Sequence, residues 1–180
     1  MVVRKRLDIK GRALSFVTMT VSNWLPVFSQ KQIAILATDQ LRESLRHFNI
    51  SLVGYALMPS HLHLLLGFQE ISGLSRFVQS FKILTSKRAR KLLQTSDDLK
   101  LREALAPTTE GNRYQFWKPR FDDLIIYSEE LFRAKLNYIY NNPVKAGFVE
   151  KPEDWHYSSA SDWLMDIPGP LPVDKEFQWL

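Results

Sequence analysis

The stretch ISLVGYALMPSHLHLLLGF, residues 50–68, holds two apolar runs, 50–57 and 62–68, on either side of a Met58-Pro59-Ser60 turn. Apolar runs of this length around a short turn predict a β-hairpin. Their nearly continuous hydrophobicity places the hairpin near the middle of a sheet with both faces largely buried.

Upstream, residues 13–22 (ALSFVTMTVS) are rich in β-branched and aromatic side chains and alternate in part, which predicts a first strand closed by a turn at Trp24, Pro26 and Phe28. From 29 to 48, Ile33, Ile35, Leu36, Leu41, Leu45 and Phe48 recur at mostly helical spacing behind Ser29, a capping residue. Downstream, 71–93 reads as an amphipathic helix with Leu74, Phe77, Val78, Phe81, Leu84 and Leu92 on one side and a basic later half. Residues 94–113 are polar and read as an insertion. Two short strands are expected around Pro119, then a helix opened by Ser128 with Glu129 and Glu130, and ended by Pro143 and Gly147.

This order predicts an α+β, ferredoxin-like (RRM-like) fold: an antiparallel sheet with helices packed on one face. Residues 1–161 form the domain. Residues 162–180, with prolines at 168, 170 and 172, form a Pro- and Trp-containing extension.

Within the strand at 61–68, side chains two apart share a face, so His61 and His63 project together about 7 Å apart along the backbone. Two imidazoles on one face can chelate a metal, and they can equally be two buried histidines bonded to neighbours. The later helix carries Asn137, Tyr138, Ile139, Tyr140, Asn141 and Asn142. Four residues of helix put Tyr138 and Asn142 about 40° apart, whereas Tyr140 lies about 200° from Tyr138. One helix face therefore offers a phenol with an amide, and Tyr140 is expected to be structural.

The 180-residue chain has 24 Lys and Arg against 19 Asp and Glu, a net charge of +5, which suits a polyanionic partner. It has no cysteine, so disulfides, thiolate zinc sites and cysteine nucleophiles are excluded. No segment approaches the roughly 18 consecutive apolar residues of a membrane span, so a cytoplasmic protein without membrane association is expected.

Taken together, FVTMTVSNWLPVF, GYALMPSHLHLLLGF, SFKILTSKRAR, FWKPRFDD and YIYNNPVKAGFVEKPEDWHYSSA resemble the single-tyrosine HUH transposases related to insertion-sequence enzymes, most of all the REP-associated tyrosine transposases. The resemblance implies that His61, His63 and Asn142 bind a divalent metal, Mg²⁺ or Mn²⁺, and that Tyr138 is the nucleophile. It implies cleavage and rejoining of single-stranded DNA carrying imperfect hairpins, through a 5′-phosphotyrosine, by a monomer or homodimer. Arg4, Lys5, Arg6, Lys10 and Arg12, and Lys82, Lys87, Arg88, Arg90 and Lys91, are then candidate phosphate contacts. Lys118 and Arg120 in FWKPRF are candidates for a place near the DNA or for a structural strand turn. The residues leave two alternatives open: a non-catalytic single-strand-binding module, and an HUH nuclease of the replication-initiator or relaxase kind.

Overall fold

A computed structural model of the chain describes residues 9–94 and 115–179. The expected insertion therefore lies outside the described residues except for Gln94, as do Arg4, Lys5 and Arg6.

The main elements are strand β1 (Ala13–Thr20), helix α1 (Lys31–Phe48), strands β2 (Ser51–Met58) and β3 (His61–Phe68), helix α2 (Leu74–Gln94), strand β4 (Asp122–Ile126), helix α3 (Glu129–Lys145) and the short helix α4 (Ala160–Met165). The four strands make one antiparallel sheet in the order β2-β3-β1-β4. The α+β class and the antiparallel sheet are as expected. The region around Pro119 supplies one strand instead of two, with Trp117 reduced to an isolated bridge to Val21.

The helices lie on both faces of the sheet instead of one, and strand parity shows why. Ala13, Val17 and Met19 of β1 and Leu62, Leu64 and Leu66 of β3 pack with Ile33, Leu41 and Leu45 of α1 and Phe77 and Phe81 of α2. The alternate residues, Leu14, Phe16 and Leu65, pack with Phe132, Leu136, Ile139 and Tyr140 of α3. Two apolar faces need two covers. Phe132, Leu136, Ile139, Tyr140 and Pro143 are the buried stripe of α3, at helical spacing.

Two local features set α3 against the hairpin. The β2–β3 register shifts between Leu52 and Gly54, and a Cβ on Gly54 would stand 2.9 Å from Leu136 Cδ1. The missing side chain leaves the space that the Leu136 side chain fills. At its start, Ser128 Oγ accepts from the Leu131 N–H at 3.3 Å, as its position predicts. Pro143 does not end the helix, which runs to Lys145. Its last turn is closed by Ala146 N–H donating to the Asn142 carbonyl at 3.0 Å and Phe148 N–H to the Pro143 carbonyl at 3.0 Å.

Although β2 is a sheet edge, the C-terminal residues cover it. Leu57 N–H donates to the Tyr157 carbonyl at 2.8 Å, Ser159 N–H to Tyr55 at 3.0 Å and Asp174 N–H to Leu52 at 2.7 Å. The indoles of Trp155 and Trp163 donate to the Leu57 and Val53 carbonyls. Beyond residue 161, Leu171 is buried in the α1/α2 core and Phe177 in the α3 core. A Cβ on Gly67 would meet the Phe177 ring at 2.7 Å, so that glycine is the slot for the ring. An edge paired in this way offers no template for a foreign strand.

Candidate active site

The site is the meeting of β3 with α3 on the sheet face away from α1 and α2. The antiparallel register sets Thr18 of β1 opposite His63 and Thr20 opposite His61. Parity then turns both imidazoles toward α3, with ring centroids 4.7 Å apart. His63 is 3% exposed. Its ring stacks on Phe16 at 5.6 Å.

Asn142 Nδ2 lies 3.0 Å from His63 Nε2, and Thr18 Oγ1 lies 2.9 Å from His63 Nδ1. With the Asn142 amide in this orientation its N–H donates to Nε2, and the Nδ1–H then donates to the threonine hydroxyl. Asn142 also lies beside the His61 side chain, close enough to oppose the lowering of its pKa. Ser60 Oγ stands 3.2 Å from His61 Nδ1.

Electrostatics keep the pair neutral. Burial, with the neighbouring His61 and then Lys135 as smaller causes, lowers His63 to a pKa of about 3. Burial lowers His61 as well, against the opposing Asn142 hydrogen bond. Neutral imidazole is the form that ligates metal.

Tyr138 and Tyr140 separate as helical geometry predicts. Tyr138 is 41% exposed and sets its ring edge-on to His63 at 5.2 Å and to Phe16 at 5.9 Å. Tyr140 is 4% exposed, and burial pushes its pKa upward. Ser159 lies toward the Tyr140 hydroxyl without completing a hydrogen bond to it. One turn before Tyr138, Lys135 places Nζ 4.8 Å from the centre of the Phe16 ring and 5.6 Å from that of Tyr138.

The donor set suits a divalent cation with open coordination positions. No group of three or more His, Cys, Asp or Glu is gathered among the described residues, so a closed four-ligand centre is not built here. The convergence of two imidazoles on one carboxamide leaves a three-point cradle, and rotating the Asn142 amide by half a turn presents Oδ1 where Nδ2 now stands. Thr18 bonds the far nitrogen of His63, the kind of contact that fixes the orientation of an imidazole ring.

The candidate phosphate contacts are placed differently. Arg12 precedes β1, roughly 20 Å along the strand from Thr18, and its Nε donates to Gln69 Oε1 at 3.1 Å. Lys82, Lys87, Arg88 and Arg90 belong to α2, which packs on the opposite sheet face. Lys82 Nζ donates to the carbonyls of Lys118 at 2.9 Å and Arg120 at 3.0 Å, and burial draws its pKa down to about 8 against the pull of Asp122. Arg88 pairs with Glu43 at 3.0 Å. The structure thus joins His61, His63, Tyr138 and Asn142, and leaves the basic α2 cluster apart from them.

Thr18, Phe16 and Lys135 join the site without having been singled out in the sequence. Lys135 has a sequence signal, since it lies three residues before Tyr138 and so on the same helix face. Thr18 has none until the β1–β3 register is known.

Residues 17–122 match the family model of IS200-like transposases, over more than half of the chain; this span includes both histidines and stops before Tyr138. The chain is 27% identical over 118 residues to a Haemophilus influenzae protein assigned as a REP-associated tyrosine transposase, covering 66% of this chain and 63% of that one. It is 42% identical over 61 residues to the REP-associated tyrosine transposase of Escherichia coli K12, covering 28% of this chain and 37% of that one. The chain thus spans less than two thirds of the length of these curated relatives. A solved structure of the REP-associated tyrosine transposase bound to a REP hairpin is similar with a TM-score of 0.70 at 21% identity, over 97% of this chain and 93% of the other. At that identity the likeness is one of fold.

Proposed function

Because the chain belongs to the IS200-like transposase family, we propose that it cleaves and rejoins hairpin-bearing single-stranded DNA through a tyrosine–phosphate bond. The observation that carries this reading is Asn142: its amide meets both histidines, and it stands on the same helix as the half-exposed Tyr138 one turn earlier.

In the proposed reaction the Tyr138 oxygen attacks the scissile phosphorus. The Tyr–O–P bond forms as the bond to the 3′ oxygen breaks, and the proton lost by the phenol is balanced by the one gained at the new 3′-hydroxyl. The products are a 5′-phosphotyrosine and a free 3′ end, and attack by another 3′-hydroxyl reverses the step without a nucleotide cofactor. His61, His63 and Asn142 would hold Mg²⁺ or Mn²⁺, which when bound would supply positive charge to a non-bridging phosphate oxygen. Thr18, bonded to His63 Nδ1, holds the ring with Nε2 facing Asn142. Lys135, with Nζ 5.6 Å from the centre of the Tyr138 ring, adds a second positive charge that favours the phenolate. Buried Tyr140 takes no part.

The curated relatives and the REP-hairpin complex support a hairpin-containing DNA partner. Among the described residues no helix is long and apolar enough to cross a membrane. Incubating the chain with a hairpin-bearing single-stranded oligonucleotide and Mn²⁺ should yield a covalent adduct that survives denaturing electrophoresis. Tyr138→Phe should abolish it. A non-catalytic binding module would give no adduct with either chain.

A further inference from the structure

The turn after β1 holds a side chain that the reaction above does not use. Trp24 is 56% exposed, yet its placement is tightly built. Asn23 and Trp24 are consecutive left-handed residues, with φ of 54° and 56°. Side chains with a Cβ take that conformation at a cost, and such strain gathers at ligand-binding sites. An indole left more than half in solvent returns little burial for it.

The surrounding hydrogen bonds show what holds the turn. Val21 N–H donates to the Ser60 carbonyl at 2.9 Å, which ties it to the residue before His61, and Ser22 N–H donates to Phe116 at 2.9 Å. Trp24 N–H closes on Val21 at 3.1 Å. The indole stands edge-on to His61, centroids 5.6 Å apart. Lys118 Nζ lies 4.5 Å from the centre of the Trp24 ring. Lys118 is itself fixed by its N–H to the Thr20 carbonyl at 2.8 Å and by Lys82 Nζ on its own carbonyl at 2.9 Å.

We propose that Trp24 and Lys118 form a nucleobase-binding subsite beside the His61–His63 pair, where the indole stacks on an unpaired base of the entering strand and the ammonium meets that strand's phosphate. The inference rests on the DNA-processing reading above and adds to it the place where the strand is gripped next to the chemistry. A flat π-surface with a cation held against it suits a single strand, whose bases are free to stack, and not a duplex, whose bases are already stacked. The half-buried Lys82 acquires a purpose in the same arrangement: it anchors the loop that carries Lys118.

The test uses the full chain with a chelator present, so that cleavage does not contribute, at one fixed salt concentration. The probes are a labelled hairpin oligonucleotide with unpaired flanks and a blunt duplex of equal length, read by fluorescence anisotropy. Trp24→Ala should weaken binding of the flanked hairpin roughly tenfold, as loss of one base–aromatic stack does. Trp24→Phe should recover most of that loss, and neither should change binding of the duplex. With 2-aminopurine placed in turn along each flank, one position should be quenched by the unsubstituted chain and not by Trp24→Ala. Equal affinity in Trp24→Ala with no lost quenching would overturn the subsite while leaving the DNA reading intact. Equal losses in Trp24→Ala and Trp24→Phe, with lowered melting temperatures in both, would make Trp24 a structural residue and overturn it also. An unsubstituted chain that binds the flanked hairpin no better than the duplex would reject the DNA reading itself, and the subsite with it.

Discussion

Asn142 and His63, 79 residues apart in the chain, are joined side chain to side chain at 3.0 Å. That hydrogen bond is where the helix bearing the tyrosine meets the strand bearing the histidines, and in the proposed reaction a metal would take its place.

Replacing Asn142 by Ala should therefore have two effects. It removes the partner of a buried imidazole, which costs about 1–3 kcal/mol of stability, and it removes the proposed oxygen ligand. Calorimetric titration with Mn²⁺ should show affinity reduced at least about tenfold, while Asn142→Asp should bind more tightly through its charge. Unchanged affinity in Asn142→Ala would remove Asn142 from the metal set.

Thr18→Val keeps the shape of the side chain and leaves His63 Nδ1 without its partner. Losing an outer-shell partner of a ligating histidine costs roughly 10–100-fold in metal affinity. Titration of the same kind checks it, and full affinity would mean that Thr18 does not orient the ring.

The buried histidines also set an acid limit on stability. His63 is held at a pKa of about 3 and His61 is lowered too, both chiefly by burial, and in the unfolded chain each returns to about 6.5. Between about pH 6.5 and pH 3 the unfolded chain binds more protons than the folded one, so stability is full above that window and falls as pH drops through it. The urea midpoint of the metal-free chain should decline steadily from about pH 6.5 downward, and His63→Asn should flatten that decline. An equally steep decline in the variant would assign the acid sensitivity to other groups.

Gly54→Ala puts a methyl group 2.9 Å from Leu136 Cδ1, inside the contact that seats α3. The methyl meets the far end of one leucine side chain, so the cost should lie at the low end of overpacking, about 1 kcal/mol. Combined with Leu136→Ala, the second change should cost less than it does alone, because the two atoms share one space. Strict additivity in urea melts would show that Gly54 is not the point of close approach.

Much of this site is readable from spacing. A period of two puts His61 and His63 on one face, and a period of 3.6 puts Tyr138 with Asn142 while sending Tyr140 to the core. The apolar character of both faces of residues 50–68 already implies two covering layers, yet nothing local says that the helix at 129–145 is the second one. Only the pairing of Leu14 and Phe16 with Leu136 and Ile139 supplies that. Pro143 misleads because a proline removes one hydrogen bond without unwinding a last turn that other bonds close. Lys82 reads as a surface cation on a basic helix, and its two carbonyl acceptors are 36 and 38 residues away. Partners that distant leave no trace in a window of sequence.

The central claim is that Tyr138 becomes joined to DNA, and locating the adduct tests it most directly. Trypsin acting after Lys135 and Lys145 releases LNYIYNNPVK, residues 136–145, which contains both tyrosines. After reaction with a hairpin oligonucleotide and Mn²⁺, nuclease trimming and fragmentation by tandem mass spectrometry should place the added nucleotide mass on Tyr138. Mass on Tyr140, on another residue, or on none of the chain would contradict the account.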